Sequence, residues 1–170
     1  MQVLETDRLV LRWLCLDDAL FILELLNDEG WLRYIGDKGV RNMEDACKYL
    51  QNGPIAMYAR CGHGLYMVER KCDALPIGMC GLIKRDGLAD VDIGFAFLPQ
   101  YGGMGYARES AAAVLEYGRA TLGMKRVVAI TSPDNVRSIK VLEAVGLEFE
   151  KKVKMSPGEP ALLLLACEFA

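Results

Sequence analysis

One stretch limits what this chain can fold into: residues Val91 to Glu109, which read VDIGFAFLPQYGGMGYARE. Val91 to Leu98 has the pattern of a strand, stopped by Pro99, a residue with no N–H for a ladder. Gln100 to Ala107 is a glycine-rich turn. From Arg108 to Leu122 the spacing is helical, with Ala111, Val114, Leu115, Gly118 and Leu122 along one side. A strand, a tight glycine turn and a helix leave backbone N–H groups unpaired at the positive end of a helix dipole. That is a ready seat for a phosphate or pyrophosphate. A Cβ at Gly103 or Gly105 would hold an anion off the backbone. A turn also needs glycine when no ligand is present, so the glycines alone do not decide the matter.

The spacing is more specific. Gln100-x-x-Gly103-x-Gly105, behind a strand ending Phe-Leu-Pro, resembles the acetyl-CoA-binding motif of the GNAT superfamily of N-acetyltransferases. A Rossmann turn would need three glycines as G-x-G-x-x-G, and a Walker A loop would end in Gly-Lys-Ser/Thr. Met104-Gly105-Tyr106 supplies no such lysine.

The chain of 170 residues reads as a single domain spanning 1–170. Lys and Arg number 20 against 23 Asp and Glu, a net charge of -3, which gives no basic surface for nucleic acid. The six cysteines, Cys15, Cys47, Cys61, Cys72, Cys80 and Cys167, form no C-x-x-C pair, so neither a zinc site nor a disulfide framework is expected. Met1 to Asp7 lacks the basic and apolar regions of a signal peptide, and Ala161 to Ala166 is too short to span a bilayer. The expectation is a cytoplasmic protein with no membrane partner, either a monomer or a homodimer.

Taken in order, Arg8 to Leu14 reads as a strand, and Asp17 and Asp18 open a helix with Ala19, Ile22, Leu23, Leu25 and Leu26 on its apolar face. Short helices are expected from Trp31 to Gly53, Met43 to Leu50 being the clearest. Gly64 to Arg70, Ile77 to Lys84 and the Val91 strand form an antiparallel meander, turning at Lys71 to Pro76 and at Asp86-Gly87. Arg126 to Thr131 has no polar alternation, as in a buried parallel strand, and completes a right-handed βαβ unit. Ser132 to Asn135 caps a helix that ends at Gly146. Leu147 to Val153 and Ala161 to Phe169 form a closing hairpin around Ser156 to Pro160.

Two further segments carry a resemblance. Thr6-x-Arg8-Leu9-x-Leu11-Arg12, followed by Asp17-Asp18-Ala19, resembles the opening of the RimJ/RimL-like branch of the same superfamily. Asn135-x-x-Ser138-x-x-x-Leu142-x-x-x-Gly146-Leu147 resembles that branch's later segment. The resemblance implies an α/β (α+β) fold: a mixed, mainly antiparallel sheet whose two central parallel strands splay apart, flanked by helices. It implies acetyl transfer from acetyl-CoA, with no metal, to a primary amine on a protein N-terminus or small molecule, by direct attack.

Pantetheine would then enter the splay and pair with backbone near Phe97 and Leu98, a bulge leaving those groups free. Gln100, Gly103, Met104, Gly105, Tyr106 and Ala107 would supply the phosphate turn, with Arg108 and Lys140 as cations and Asn135 orienting amide groups. An ammonium must lose its proton before attack. Asp92 stands where relatives carry a glutamate base, acting directly or through water, unless it partners an arginine; Glu159 is the alternative. The leaving thiolate needs a donor. The helix after Asn135 has no tyrosine, which leaves Ser138, though Asn and Ser also suit a helix cap there. Gly102 replaces the branch's usual tryptophan, and His63, between two glycines, is expected to serve a turn. A non-catalytic acetyl-CoA-binding module is the competing expectation.

Overall fold

The computed structural model describes residues 1–170. One eight-stranded mixed, mostly antiparallel sheet forms the centre, in the order β1-β2-β3-β4-β5-β6-β8-β7. The strands are β1 (Gln2–Glu5), β2 (Leu9–Trp13), β3 (Leu65–Arg70), β4 (Pro76–Ile83), β5 (Asp92–Phe97), β6 (Arg126–Thr131), β7 (Glu148–Val153) and β8 (Leu162–Glu168). The helices are α1 (Ala19–Leu26), α2 (Glu29–Tyr34), α3 (Met43–Leu50), α4 (Ala56–Cys61), α5 (Tyr106–Ala120) and α6 (Val136–Ala144). No helix is long and apolar enough to cross a membrane.

The expected meander β3–β4–β5 is present with an unbroken register from Gly78↔Phe97 to Ile83↔Asp92. Gly81 is required there, because a Cβ on it would lie 2.0 Å from the carbonyl oxygen of Gly64. β5 and β6 are parallel but share one residue pair, Asp92↔Val128. On its other edge β6 pairs with β8 along its whole length, Arg126↔Glu168 to Thr131↔Leu163. Two strands that meet once and then follow different neighbours must diverge, and a gap opens towards their C-terminal ends.

Two cores cover the two faces. Leu9, Leu11, Tyr66, Val68, Leu82 and Ile93 pack with Ala111, Val114 and Leu115 of α5 on one side. Met67, Met79 and Leu98 pack with Ile22, Leu25 and Leu26 of α1 and with Trp31, Ala46 and Leu50 on the other. The alternation of β5 decides which residue serves which face. Ile93 and Phe95 face α5, and Ala96 and Leu98 face α1.

Some elements differ from the pattern in the sequence. β1 pairs with β2 through only three residue pairs, Gln2↔Arg12 to Glu5↔Val10, too short a run to show alternation. The segment after α3 continues through a widened π turn over Gln51–Ile55, with Pro54 inside it, into α4. Proline has no N–H to give the i→i−4 ladder, and a widened turn accommodates it. Pro99–Tyr101 is a 3₁₀ turn, and α5 begins at Tyr106, two residues before the expected start. His63 lies in the connection between α4 and β3, as expected, and is buried there, with Nδ1 2.7 Å from the Leu82 carbonyl oxygen.

Candidate active site

The gap between β5 and β6 opens into a cavity of about 590 Å³. Its lining runs from Trp31, Tyr34 and Ile35 of α2, along β5, to the glycine turn and the first residues of α6. Leu98 donates its N–H to Ile77 O on β4 at 3.0 Å. Peptide groups along a strand alternate in direction, so those of Phe95 and Phe97 point the other way, into the gap. Leu98 is therefore not the free group expected of it: its N–H is spent on β4, and its carbonyl accepts from Tyr101 N at 3.0 Å. No bulge interrupts the β4–β5 register either. The gap-side groups are open because β6 has departed.

Gly102, Gly103, Gly105, Tyr106, Ala107 and Arg108 border the cavity, whereas Gln100 and Met104 do not. Gln100 lies within the 3₁₀ turn and is exposed, and Met104 turns its carbonyl towards Arg8 Nη1 at 2.9 Å. Gly103 and Gly105 have φ of 74° and 81°, the left-handed region that a Cβ disfavours. An added Cβ at Gly103 would meet nothing within 4 Å, so the glycine there serves conformation and open access.

The turn is braced from the far end of the chain. Glu109 on α5 accepts from Thr6 Oγ1 at 2.6 Å, from Arg8 N at 3.1 Å and from Arg8 Nε at 2.7 Å. Arg8 also lies over the ring of Tyr106, 4.4 Å from its centroid. Burial pushes the Glu109 carboxyl up, but the bonds from Thr6 and Arg8 outweigh it and hold the group below its ordinary value. The Thr6-x-Arg8 motif and the glycine turn are thus one mechanical unit. Arg12 of the same motif donates to both Asp18 oxygens at 2.9 and 2.8 Å and also pairs with Glu69, anchoring β2 to the start of α1.

Across the gap, Asn135 caps α6, its Oδ1 accepting from Ser138 N at 3.3 Å. Both side chains border the cavity, and the Ser138 hydroxyl makes no bond within the protein. Arg108, Lys140 and Arg137 border it too and form no ion pair. Arg137, missed in the sequence, has Nη1 3.6 Å from where a Cβ of Gly102 would stand. Uncommitted cations, a helix N-terminus and a glycine turn together make a seat for a polyanion on a chain of net charge -3.

The side of the cavity facing α1 and α2 is apolar, with Leu25, Trp31, Ile35, Leu65 and Met79, and two carboxylates border it, Asp28 and Asp92. Asp92 is 1% exposed, and both its oxygens accept from Arg85 Nε, at 3.0 and 3.1 Å. A carboxylate this deeply buried offers an amine no direct approach, so the residue expected as the base is placed as the partner of an arginine. Burial pushes its carboxyl up, against the opposing pull of Arg85. Asp28, missed in the sequence, caps α2 through one oxygen, Oδ2, which accepts from Gly30 N at 2.9 Å and Trp31 N at 3.4 Å. Its other oxygen has no protein partner. Glu159 is exposed in the β7–β8 loop and does not border the cavity. No group of three or more His, Cys, Asp or Glu side chains is gathered as a metal would require.

Known proteins share this fold. The family model of the acetyltransferase (GNAT) domain matches residues 8–148. The chain belongs to the GNAT acetyltransferase family. It is 30% identical over 145 residues to YnaD of Bacillus subtilis, an uncharacterised N-acetyltransferase, covering 85% of this chain and 82% of that one. The GNAT acetyltransferase of Bacillus anthracis superposes with a TM-score of 0.82 at 25% identity, covering 99% and 98% of the two chains. RimL, an L7/L12 alpha-N-protein acetyltransferase solved with coenzyme A, shares the fold with a TM-score of 0.82 at 18% identity, over 99% and 98% of the chains.

Proposed function

We propose that this GNAT domain transfers an acetyl group from acetyl-CoA to the nitrogen of a primary amine. The observation that carries the reading is the single β5–β6 pair, Asp92↔Val128, beyond which a strand edge lies open beside the glycine turn. Such an edge accepts an amide-bearing chain as an added strand. Acetyl-CoA would supply that chain in its pantetheine arm, together with the activated acetyl group. The gap-side peptide groups of Phe95 and Phe97 would hold the arm. Gly103, Gly105, Tyr106 and Ala107 would seat the pyrophosphate, with Arg108, Arg137 and Lys140 balancing its charge.

Ser138, whose hydroxyl is free at the first turn of α6, donates a hydrogen bond to the sulfur, which leaves with the electron pair of the C–S bond as a thiolate while the new C–N bond forms. Asn135 fixes the start of α6 and so the position of that hydroxyl. Asp28 holds the incoming ammonium through its uncommitted oxygen and receives the proton the nitrogen must lose. The apolar lining around it strengthens both interactions by excluding water.

The test is acetyl-CoA consumption, read as released thiol, against a panel of primary amines. Turnover with at least one amine is expected, and coenzyme A should compete where ATP does not. Tight acetyl-CoA binding with no amine turned over would make the domain a binding module. Equal competition by ATP would remove the cofactor assignment.

A further inference from the structure

The acceptor end of the cavity holds an arginine with donors to spare. Arg85 follows β4, its side chain 39% exposed, and borders the cavity. Its Nε is fixed by both oxygens of Asp92, at 3.0 and 3.1 Å, while neither terminal nitrogen has a partner in the protein. The neighbouring cation is used differently: Lys84 Nζ donates to the carbonyls of Leu88 and Ala89 at 2.6 and 3.1 Å and closes its own turn. A carboxylate 1% exposed is a costly device if its purpose is only to neutralise a half-exposed guanidinium. It gains a purpose if it aims the planar fork of terminal N–H groups at something in the cavity. A fork of that shape matches two oxygens of a carboxylate.

We propose, resting on the transfer reading above, that Arg85 binds a carboxylate of the acceptor, so that the substrate is a primary amine that also carries a carboxylate. Asp92 is then a positioning residue acting through Arg85. The local charges agree. One guanidinium and two carboxylates border the same cavity: Arg85 paired with Asp92, and Asp28. A substrate whose ammonium meets Asp28 and whose carboxylate meets Arg85 leaves each charge paired. A dianion such as a phosphate monoester would be opposed by both carboxylates, and a diamine would set its second cation against Arg85. Trp31, Ile35 and Met79 border the same cavity and suit an apolar body.

The experiment compares ω-amino acids of increasing chain length with alkylamines of the same length, in wild type, Arg85→Gln and the double variant Asp92→Asn/Arg85→Gln. Wild type should favour the carboxylated member of a pair by about tenfold or more in kcat/KM, the range of a hydrogen bond to a charged group. Both variants should bring that ratio close to one, the effect falling on KM for the carboxylated amine. The double variant leaves no buried charge unpaired, so it reports the ratio even where Arg85→Gln alone fails to fold. Equal use of the two series by wild type, or a preference that survives both variants, overturns the inference while leaving acetyl transfer intact. Turnover of neither series, with another amine of the panel acetylated, overturns this inference alone, and turnover of no amine at all overturns the transfer reading and this inference with it.

Discussion

The two halves of the cavity are built on different principles. The half beside α5 and α6 is made of backbone: a strand edge, a left-handed turn and two helix openings, with cations around them. The half facing α1 and α2 is made of side chains: Leu25, Asp28, Trp31, Met79, Arg85 and Asp92 come from separate segments of the chain. Backbone presents the same groups whatever the residue, so it can bind one ligand while the surrounding sequence drifts. Side chains change with every substitution, and they are where a family sharing one cofactor would diversify its acceptors.

Substitutions separate the halves. The largest effect is expected from Gly105→Asp, which strains a position at φ 81° and sets a carboxylate at the anion seat. Wild type at a hundredfold excess of acetyl-CoA over its Kd should gain about 2.7 kcal/mol, read as a thermal shift, and the variant should gain almost nothing. An unchanged shift would mean that the turn is not the cofactor seat.

Asp28→Asn acts on the other half alone. Asparagine caps a helix as well as aspartate does, so α2 should persist, while kcat/KM should fall by about a hundredfold. The residual rate should climb with pH, since only amine already neutral reacts. A wild-type rate and pH profile would exclude Asp28 from proton removal. Ser138→Ala should lower kcat by about tenfold, roughly 1.4 kcal/mol, with acetyl-CoA affinity kept. Lost affinity with intact turnover would make Ser138 a cofactor contact.

The smallest effect is expected from Glu109→Gln, which loosens the brace from Arg8 and Thr6. It should cost about 1 kcal/mol of stability at neutral pH. Because the Glu109 carboxyl is held below its ordinary value, its contribution is complete above that value and fades as pH falls through the lowered one. The wild-type and variant denaturation midpoints should therefore converge in strong acid. Convergence already at pH 6 would show that the brace adds nothing.

The same division explains what the sequence made legible. The glycine turn and the α6 cap could be anticipated because proline, glycine and asparagine declare backbone geometry locally, whereas the splayed sheet was implied only by the resemblance to the GNAT superfamily. Leu98 could not be told from Phe97, since which peptide faces the gap depends on the β4 register, Gly78↔Phe97. Asp92 showed its strand but not its partner, because Arg85 reaches it only once the turn at Asp86-Gly87 has folded. Asp28 had no signal of its own in the sequence. Its significance lies in one uncommitted oxygen, and a cap residue carries no mark of that in its neighbours. β1 stayed hidden because four residues at a sheet edge carry no period.

The lone β5–β6 pair has a mechanical consequence. By strand order the sheet is continuous, yet five strands form one leaf and three the other, joined by a single rung at Asp92↔Val128. Flexing between the leaves breaks no other rung, so the ladder does not set the angle at which they stand. That falls to the helices: α5 lies on β4 and β5 of the first leaf, α6 lies on β6 of the second, and the two lean on each other. The wedge is as wide as the α5–α6 contact makes it, and a change of one methyl group in that contact alters the fit of whatever enters the wedge from a position that never touches it.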